Sequence, residues 1–157
     1  MIQRILLALD SSDLAGLVLD AAIAAARKEG ARLRLLHVVD VPPNLPPGLV
    51  AATPCAITEH FLGLGREVVG EHAKAVPREL LAGVDVRMGR PWREICAIAK
   101  EAKADLIVIG AHGPGVVDRM LGTTAAKIVS RAHCSVLFVR PEGRRLRPAR
   151  PSGALAS

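Results

Sequence analysis

The chain has 157 residues, 50% of them hydrophobic and 23% charged, with a formal net charge of +6. That length suits one domain, and that balance suits a buried core rather than disorder. No apolar run approaches the roughly 20 residues a membrane-spanning helix needs. Aromatics are only 2% of the chain, with one Trp, two Phe and no Tyr, so the core has to be built from Val, Leu, Ile and Ala. This composition suits a parallel sheet covered on both faces and argues against base stacking on single-stranded nucleic acid.

The first element is the short apolar run Ile5-Leu6-Leu7-Ala8-Leu9, ended by Asp10, which reads as a buried strand. Ser11, Ser12 or Asp13 can cap a following helix whose apolar face is expected at Leu14, Leu17, Val18, Ala21 and Ala25, with Gly30 as its stop. Leu33 to Val39 is the second strand, completing a β-α-β unit. Asp40 to Thr58 is expected to be a surface loop, because Pro42, Pro43, Pro46, Pro47 and Pro54 oppose both helix and central strand. A helix should resume near Ile57 and run past His72, with Phe61, Leu64 and Val68 on one face, weakened by Gly63, Gly65 and Gly70. Val84 to Met88 is the third strand. Gly89 and Pro91 turn the chain into a helix striped by Trp92, Ile95, Cys96, Ile98 and Ala99. Leu106 to Ile109 is the fourth strand, Thr123 to Ala132 a helix and Ser135 to Val139 the fifth strand. This alternation predicts an α/β fold: an open five-stranded parallel sheet with helices on both faces, in the common order 3-2-1-4-5. The domain is expected to span 1–141, followed by an Arg- and Pro-rich disordered tail over 142–157.

Charge and cysteines add little. The tail carries four arginines and one glutamate, a net +3 and half of the chain's excess, so the domain itself is only mildly basic and a nucleic-acid partner is not indicated. Cys55, Cys96 and Cys134 are odd in number and lack the spacing of a disulfide framework or a zinc site. They suit a reducing, cytoplasmic setting. Met1-Ile2 leads into an apolar stretch cut short by Asp10, unlike a secretory leader.

In open α/β sheets, ligands bind beyond the carboxyl ends of the strands where strand order reverses. Here that point lies between strands one and four, so Ala8-Leu9-Asp10 should meet Gly110-Ala111-His112-Gly113-Pro114-Gly115. Glycines let backbone amides approach an anion, and successive amides form a nest for phosphate oxygens. The helix beginning near Gly122-Thr123-Thr124 aims its N-terminal N–H groups at the same place and adds two hydroxyls. Asp10 can accept hydrogen bonds from ribose, and Val38 can pack on a base. Each signal has a plainer meaning when taken alone: an acid after a strand is often a cap, and three glycines are often a turn. His112 reads as a solvated loop residue, His37 and Cys134 as packing residues, and Trp92 as a lid over apolar surface. There is no P-loop lysine and no clear carboxylate pair, so the residues promise at most slow hydrolysis.

The stretch GAHGPGVVDRMLGTTAAKIVSRAHCSVLFVR resembles the universal stress protein family, whose pattern is G-x-x-G, nine residues, then G-[S/T], between the fourth strand and the last helix. ILLALDSSDLA resembles that family's first strand and acid, LLHVVD its second strand and ADLIVIGAHG its fourth, and the resemblance covers about Ile2 to Pro141. It implies a Rossmann-like fold and an ATP-binding module, ATP being held with Mg²⁺, in which Asp10 takes the ribose. Ala8, Leu9, Val38 and Ile109 would frame the adenine. Gly110, Gly113, Gly115, Gly122, Thr123 and Thr124 would take the phosphates. It also implies a homodimer through Ser135 to Val139. The chain departs from the pattern in one respect: eight residues, not nine, separate Gly113 from Gly122, and Pro114 stiffens the shorter loop. Other readings stay open: a nucleotide-independent dimeric scaffold, an enzyme acting on adenine nucleotides, and nucleic-acid association through the Arg tail. The absence of an SGGxDS-type loop after strand one argues against a pyrophosphatase.

Overall fold

A computed structural model of the chain describes residues 1–40, 44, 53–110 and 122–140. Nine elements alternate in the expected sequence: β1 (Arg4–Leu9), α1 (Ala15–Glu29), β2 (Arg32–Val39), α2 (Pro54–Lys74), β3 (Leu81–Met88), α3 (Pro91–Glu101), β4 (Leu106–Gly110), α4 (Thr123–Arg131) and β5 (Ser135–Val139). The strands form one parallel sheet in the order β3-β2-β1-β4-β5. The expected tail over 142–157 and the proline-rich run at 45–52 lie outside the described residues.

Side-chain alternation along the strands builds a separate core on each face. Ile5, Leu7 and Leu9 of β1, with Leu33 and Leu35 of β2, pack under α1 and against Val69 of α2. Leu6, Leu36, Ile107 and Ile109 point the other way, against Ile95, Ile98 and Ala99 of α3 and Ala125 and Ile128 of α4. Apolar residues therefore occupy both parities of the central strands, as expected for a doubly covered parallel sheet.

The helices differ from the sequence expectation in register. On α1 the buried residues are Ala15, Val18, Leu19, Ala22 and Ala26, while Leu17 is exposed. Alanine occurs all round this helix, so hydrophobic periodicity does not select the face; the observed stripe keeps the i, i+3, i+4, i+7 spacing but is turned by about one residue. Gly30 closes α1 in the left-handed conformation, φ 65°, as expected. The second helix starts at Pro54, not near Ile57. Thr53 is its N-cap, Oγ1 accepting from the Ala56 N–H at 3.3 Å, and Pro54 sits at the first helical position, where its missing N–H costs nothing. Its buried residues are Phe61, Gly65 and Val69; Leu64 is exposed. The third strand begins at Leu81, three residues earlier than expected, because the start of β2 supplies it with a partner: Leu33 pairs with Leu81.

Asp105 fastens the amino end of β1 to the chain just before β4. Its Oδ2 accepts the N–H groups of Gln3 and Arg4, both at 2.9 Å. These two bonds hold the carboxyl below its ordinary value of 3.8. A carboxyl whose folded value is depressed stabilises the fold above the ordinary value, and that contribution is lost as pH falls through the folded value. Asp105→Asn is therefore expected to lower the melting temperature near neutral pH and to approach wild type as pH falls below the ordinary carboxyl value. Melting curves in which the gap stays constant across that range contradict the assignment.

Candidate functional site

The reversal of strand order falls between β1 and β4, and the register there is Ala8 beside Ile109. On the other side of β1, Ala8 lies beside Leu36, so Val38 follows it along β2 on the same face. Ala8, Val38 and Ile109 all belong to the α3/α4 side, with Ile109 buried and Ala8 and Val38 partly buried against that core. They form an apolar strip at the carboxyl end of the sheet. Leu9 does not share it: its side chain belongs to the core under α1 and α2. Its backbone carbonyl accepts from Nδ1 of the buried His37 at 2.9 Å, which places the proton on Nδ1. His37 thus packs, as expected, and it also secures the end of β1 immediately before Asp10.

Asp10 is exposed, one residue beyond β1. Its Oδ1 accepts both the N–H of Ser12, at 3.1 Å, and the Ser12 hydroxyl, at 2.5 Å. This Asx-type turn orients the carboxylate. Among the described residues no donor reaches Oδ2. The α1 N-cap position is taken by Leu14, without a side-chain cap, so Ser11 and Asp13 do not perform the capping expected of them. Ser12 was legible in the sequence only as a candidate cap; the signal for its actual role is the Asp-x-Ser spacing.

Gly110 ends β4 beside Val139 of β5. A Cβ at Gly110 would lie 3.3 Å from Cγ2 of Val18, so a larger residue would press on α1. Gly113 and Gly115 lie outside the described residues. Gly122 is the N-cap of α4 and has no side chain with which to cap it; the N–H groups of the first turn are left to another acceptor. Thr123 and Thr124 are exposed at that end. Because α4 links two parallel strands, it runs against them, and its positive end lies at the same rim of the sheet as Asp10 and Gly110.

Behind this rim, Trp92 packs against the α3/α4 core under two cations, with Arg131 4.8 Å and Lys127 5.8 Å from the ring centre. It is a lid, as expected. Burial pushes the Cys96 thiol up, with Arg131 opposing, and burial likewise raises Cys134, reinforced by Asp105 and Cys96. Both stay protonated near neutral pH, consistent with packing.

The universal stress protein family model matches residues 1–140. The chain belongs to the universal stress protein family. Among curated relatives, a universal stress protein of Thermus aquaticus is 34% identical, covering 89% of this chain and 100% of that protein. Universal stress protein YxiE of Bacillus subtilis is 32% identical at the same coverages. Of the solved structures, universal stress protein UspA from Lactobacillus plantarum superposes with a TM-score of 0.70 at 26% identity, covering 88% of this chain and 98% of that one. Two family structures at 21% identity hold nucleotides: one in complex with cAMP, TM-score 0.65, and one from Archaeoglobus fulgidus in complex with dAMP, TM-score 0.54. Each covers 88% of this chain, and 97% and 98% of theirs respectively. No helix among the described residues is long and apolar enough to cross a membrane.

Proposed function

We propose that this universal stress protein is an adenine-nucleotide-binding module that takes ATP with Mg²⁺ at the carboxyl rim of its sheet and hydrolyses it slowly or not at all. The observation that carries the reading is the convergence, at one reversal of strand order, of a carboxylate held by Ser12 and a helix end that its glycine N-cap leaves uncapped. Asp10 faces the ribose hydroxyls, the strip of Ala8, Val38 and Ile109 faces the base with the Leu9 backbone beside it, and the N–H groups from Gly122 to Thr124 take phosphate oxygens. Gly110 joins them at the end of β4, and Gly113 and Gly115, outside the described residues, are assigned to the same phosphates by sequence. The cAMP and dAMP complexes of two relatives support the adenine nucleotide.

No group of three or more metal-binding side chains occurs among the described residues. Asp10 and the Thr123 and Thr124 hydroxyls are the oxygen donors at this rim that would hold Mg²⁺ together with the nucleotide's own phosphates and water. The ion's chemistry is charge neutralisation on the phosphates. The dimer is assigned to β5, Ser135–Val139, which forms an edge of the sheet with Leu137 40% exposed on the α1 side. Open strand edges pair readily with a second copy.

Mass spectrometry of the denatured purified protein should release adenine nucleotide, and calorimetry on stripped protein should give micromolar-range ATP binding. Light scattering should return twice the chain mass of 16.5 kDa. No released nucleotide and no heat with ATP would remove the nucleotide reading and leave a dimeric scaffold of the same fold.

A further inference from the structure

The opposite rim of the sheet carries a feature that nucleotide binding does not use. Three arginines emerge on the α3 side of the first two strands: Arg4 at the start of β1, and Arg32 and Arg34 at the start of β2. Arg4 and Arg32 are direct register partners, so two like charges stand side by side on neighbouring strands, an arrangement that costs stability when nothing neutralises it. The three line a cavity of about 160 Å³, completed by the small side chains of Ala82, Ala102 and Ala104 over an apolar floor that includes Leu6.

The guanidiniums are partly fixed in place. Arg34 pairs with Asp85 at 2.5 Å and lies over Gly83, where an added Cβ would stand 3.1 Å from its Nη2. Gly83 therefore leaves the room in which this side chain lies. Arg32 donates to the Leu81 carbonyl at 2.9 Å. Each contact uses one donor of the five a guanidinium carries, leaving others for an acceptor in the cavity. Of the acids around it, Asp85 is paired with Arg34 and Glu101 with Arg87, while Asp105 binds the N–H groups of Gln3 and Arg4 and offsets part of the Arg4 charge.

We propose that this cavity is a second ligand site, one for a compact oxyanion, phosphate or carboxylate, held by Arg4, Arg32 and Arg34. The volume falls below the several hundred Å³ of pockets that enclose whole nucleotide-sized ligands, so the ligand is a small free anion. Guanidinium forks match the paired oxygens of both chemistries. Six residues of extended strand separate Arg4 from Asp10, about 20 Å, so the site is independent of the nucleotide rim. The competing role for these arginines, screening the carbonyl ends of α3, needs no ligand.

Inorganic phosphate and succinate, each titrated into full-length ¹⁵N-labelled protein against a chloride control of equal ionic strength, separate the two. Saturable amide shifts at Gln3–Ile5, Arg32–Arg34 and Ala102–Ala104 are expected with one or both anions, and whichever saturates identifies the group. Arg4→Gln and Arg32→Gln should each weaken that binding about tenfold, while shifts at Gly122–Thr124, where phosphate can also bind, persist. Arg4→Lys, which keeps the charge but loses the fork, keeps the fold and should recover binding only in part. Shifts confined to Gly122–Thr124, or rim shifts that do not saturate and are matched by chloride, overturn the second site, whatever the fate of the nucleotide reading.

Discussion

Replacing Gly65 by valine is expected to lower the stability of the fold by about 3 kcal/mol, whereas alanine at Gly70, five residues along the same helix, should raise it by about 0.5–1 kcal/mol. At Gly65 an added Cβ would lie 2.7 Å from Cγ2 of Val39, 2.7 Å from Cγ1 of Val86 and 3.3 Å from the His37 ring. Both valines are β-branched and stand on paired strands, so their methyls have few rotamers into which to retreat. The helix must lift instead, opening the contact between α2 and the β2–β3 surface that buries Phe61 and Val69. Gly70 meets nothing within 4 Å, so alanine there gains helix propensity without a clash. Urea unfolding of the two variants measures both signs. Equal effects at the two positions would show that helix propensity alone governs them.

Asp10→Ala is expected to weaken adenine-nucleotide binding by about ten- to a hundredfold, since a charge-assisted hydrogen bond is worth about 1.5–3 kcal/mol. The side chain is exposed and its protein partners are the N–H and hydroxyl of Ser12, so the loss in folding stability should stay within about 1 kcal/mol. Asp10→Asn retains an acceptor for Ser12 but reduces the charge, and should fall between alanine and wild type. Calorimetric titration with ATP, read beside a melting curve for each variant, separates ligand contact from fold. Unchanged affinity in both variants would place the ribose elsewhere.

The alternation of strands and helices was legible because β1 and β4 are short apolar runs closed by Asp10 and Gly110 and the segments between strands are long enough for crossover helices; the order itself came from the common pattern of such sheets. Ser135–Val139 matches residue for residue, with a turn on one side and a basic, proline-led stretch on the other. What escaped the sequence was orientation. Leu9 looks interchangeable with Ala8 in a run apolar on both parities, yet the two face opposite cores. Leu17 and Leu64 look like core residues by period, but alanine on α1 and glycine on α2 let smaller residues take the closest approach. Pro54 looks like a helix breaker because Thr53 gains its meaning as a cap only once the Ala56 N–H turns back onto its hydroxyl. At the site, Ala8, Val38 and Ile109 come together as expected, and Asp10, Gly110, Gly122, Thr123 and Thr124 share their rim of the sheet. The second strand was expected from Leu33, leaving Arg32 out, although cations at alternate positions 32 and 34 in a covered sheet mark a stretch its helix leaves uncovered.

The bond from His37 to the Leu9 carbonyl ties β2 to the end of β1, its register neighbour. The imidazole lies under α2, 3.3 Å from where a Cβ at Gly65 would stand, and anchors the residue before Asp10. A shift of α2 would therefore be passed through one imidazole to the strand end that carries Asp10.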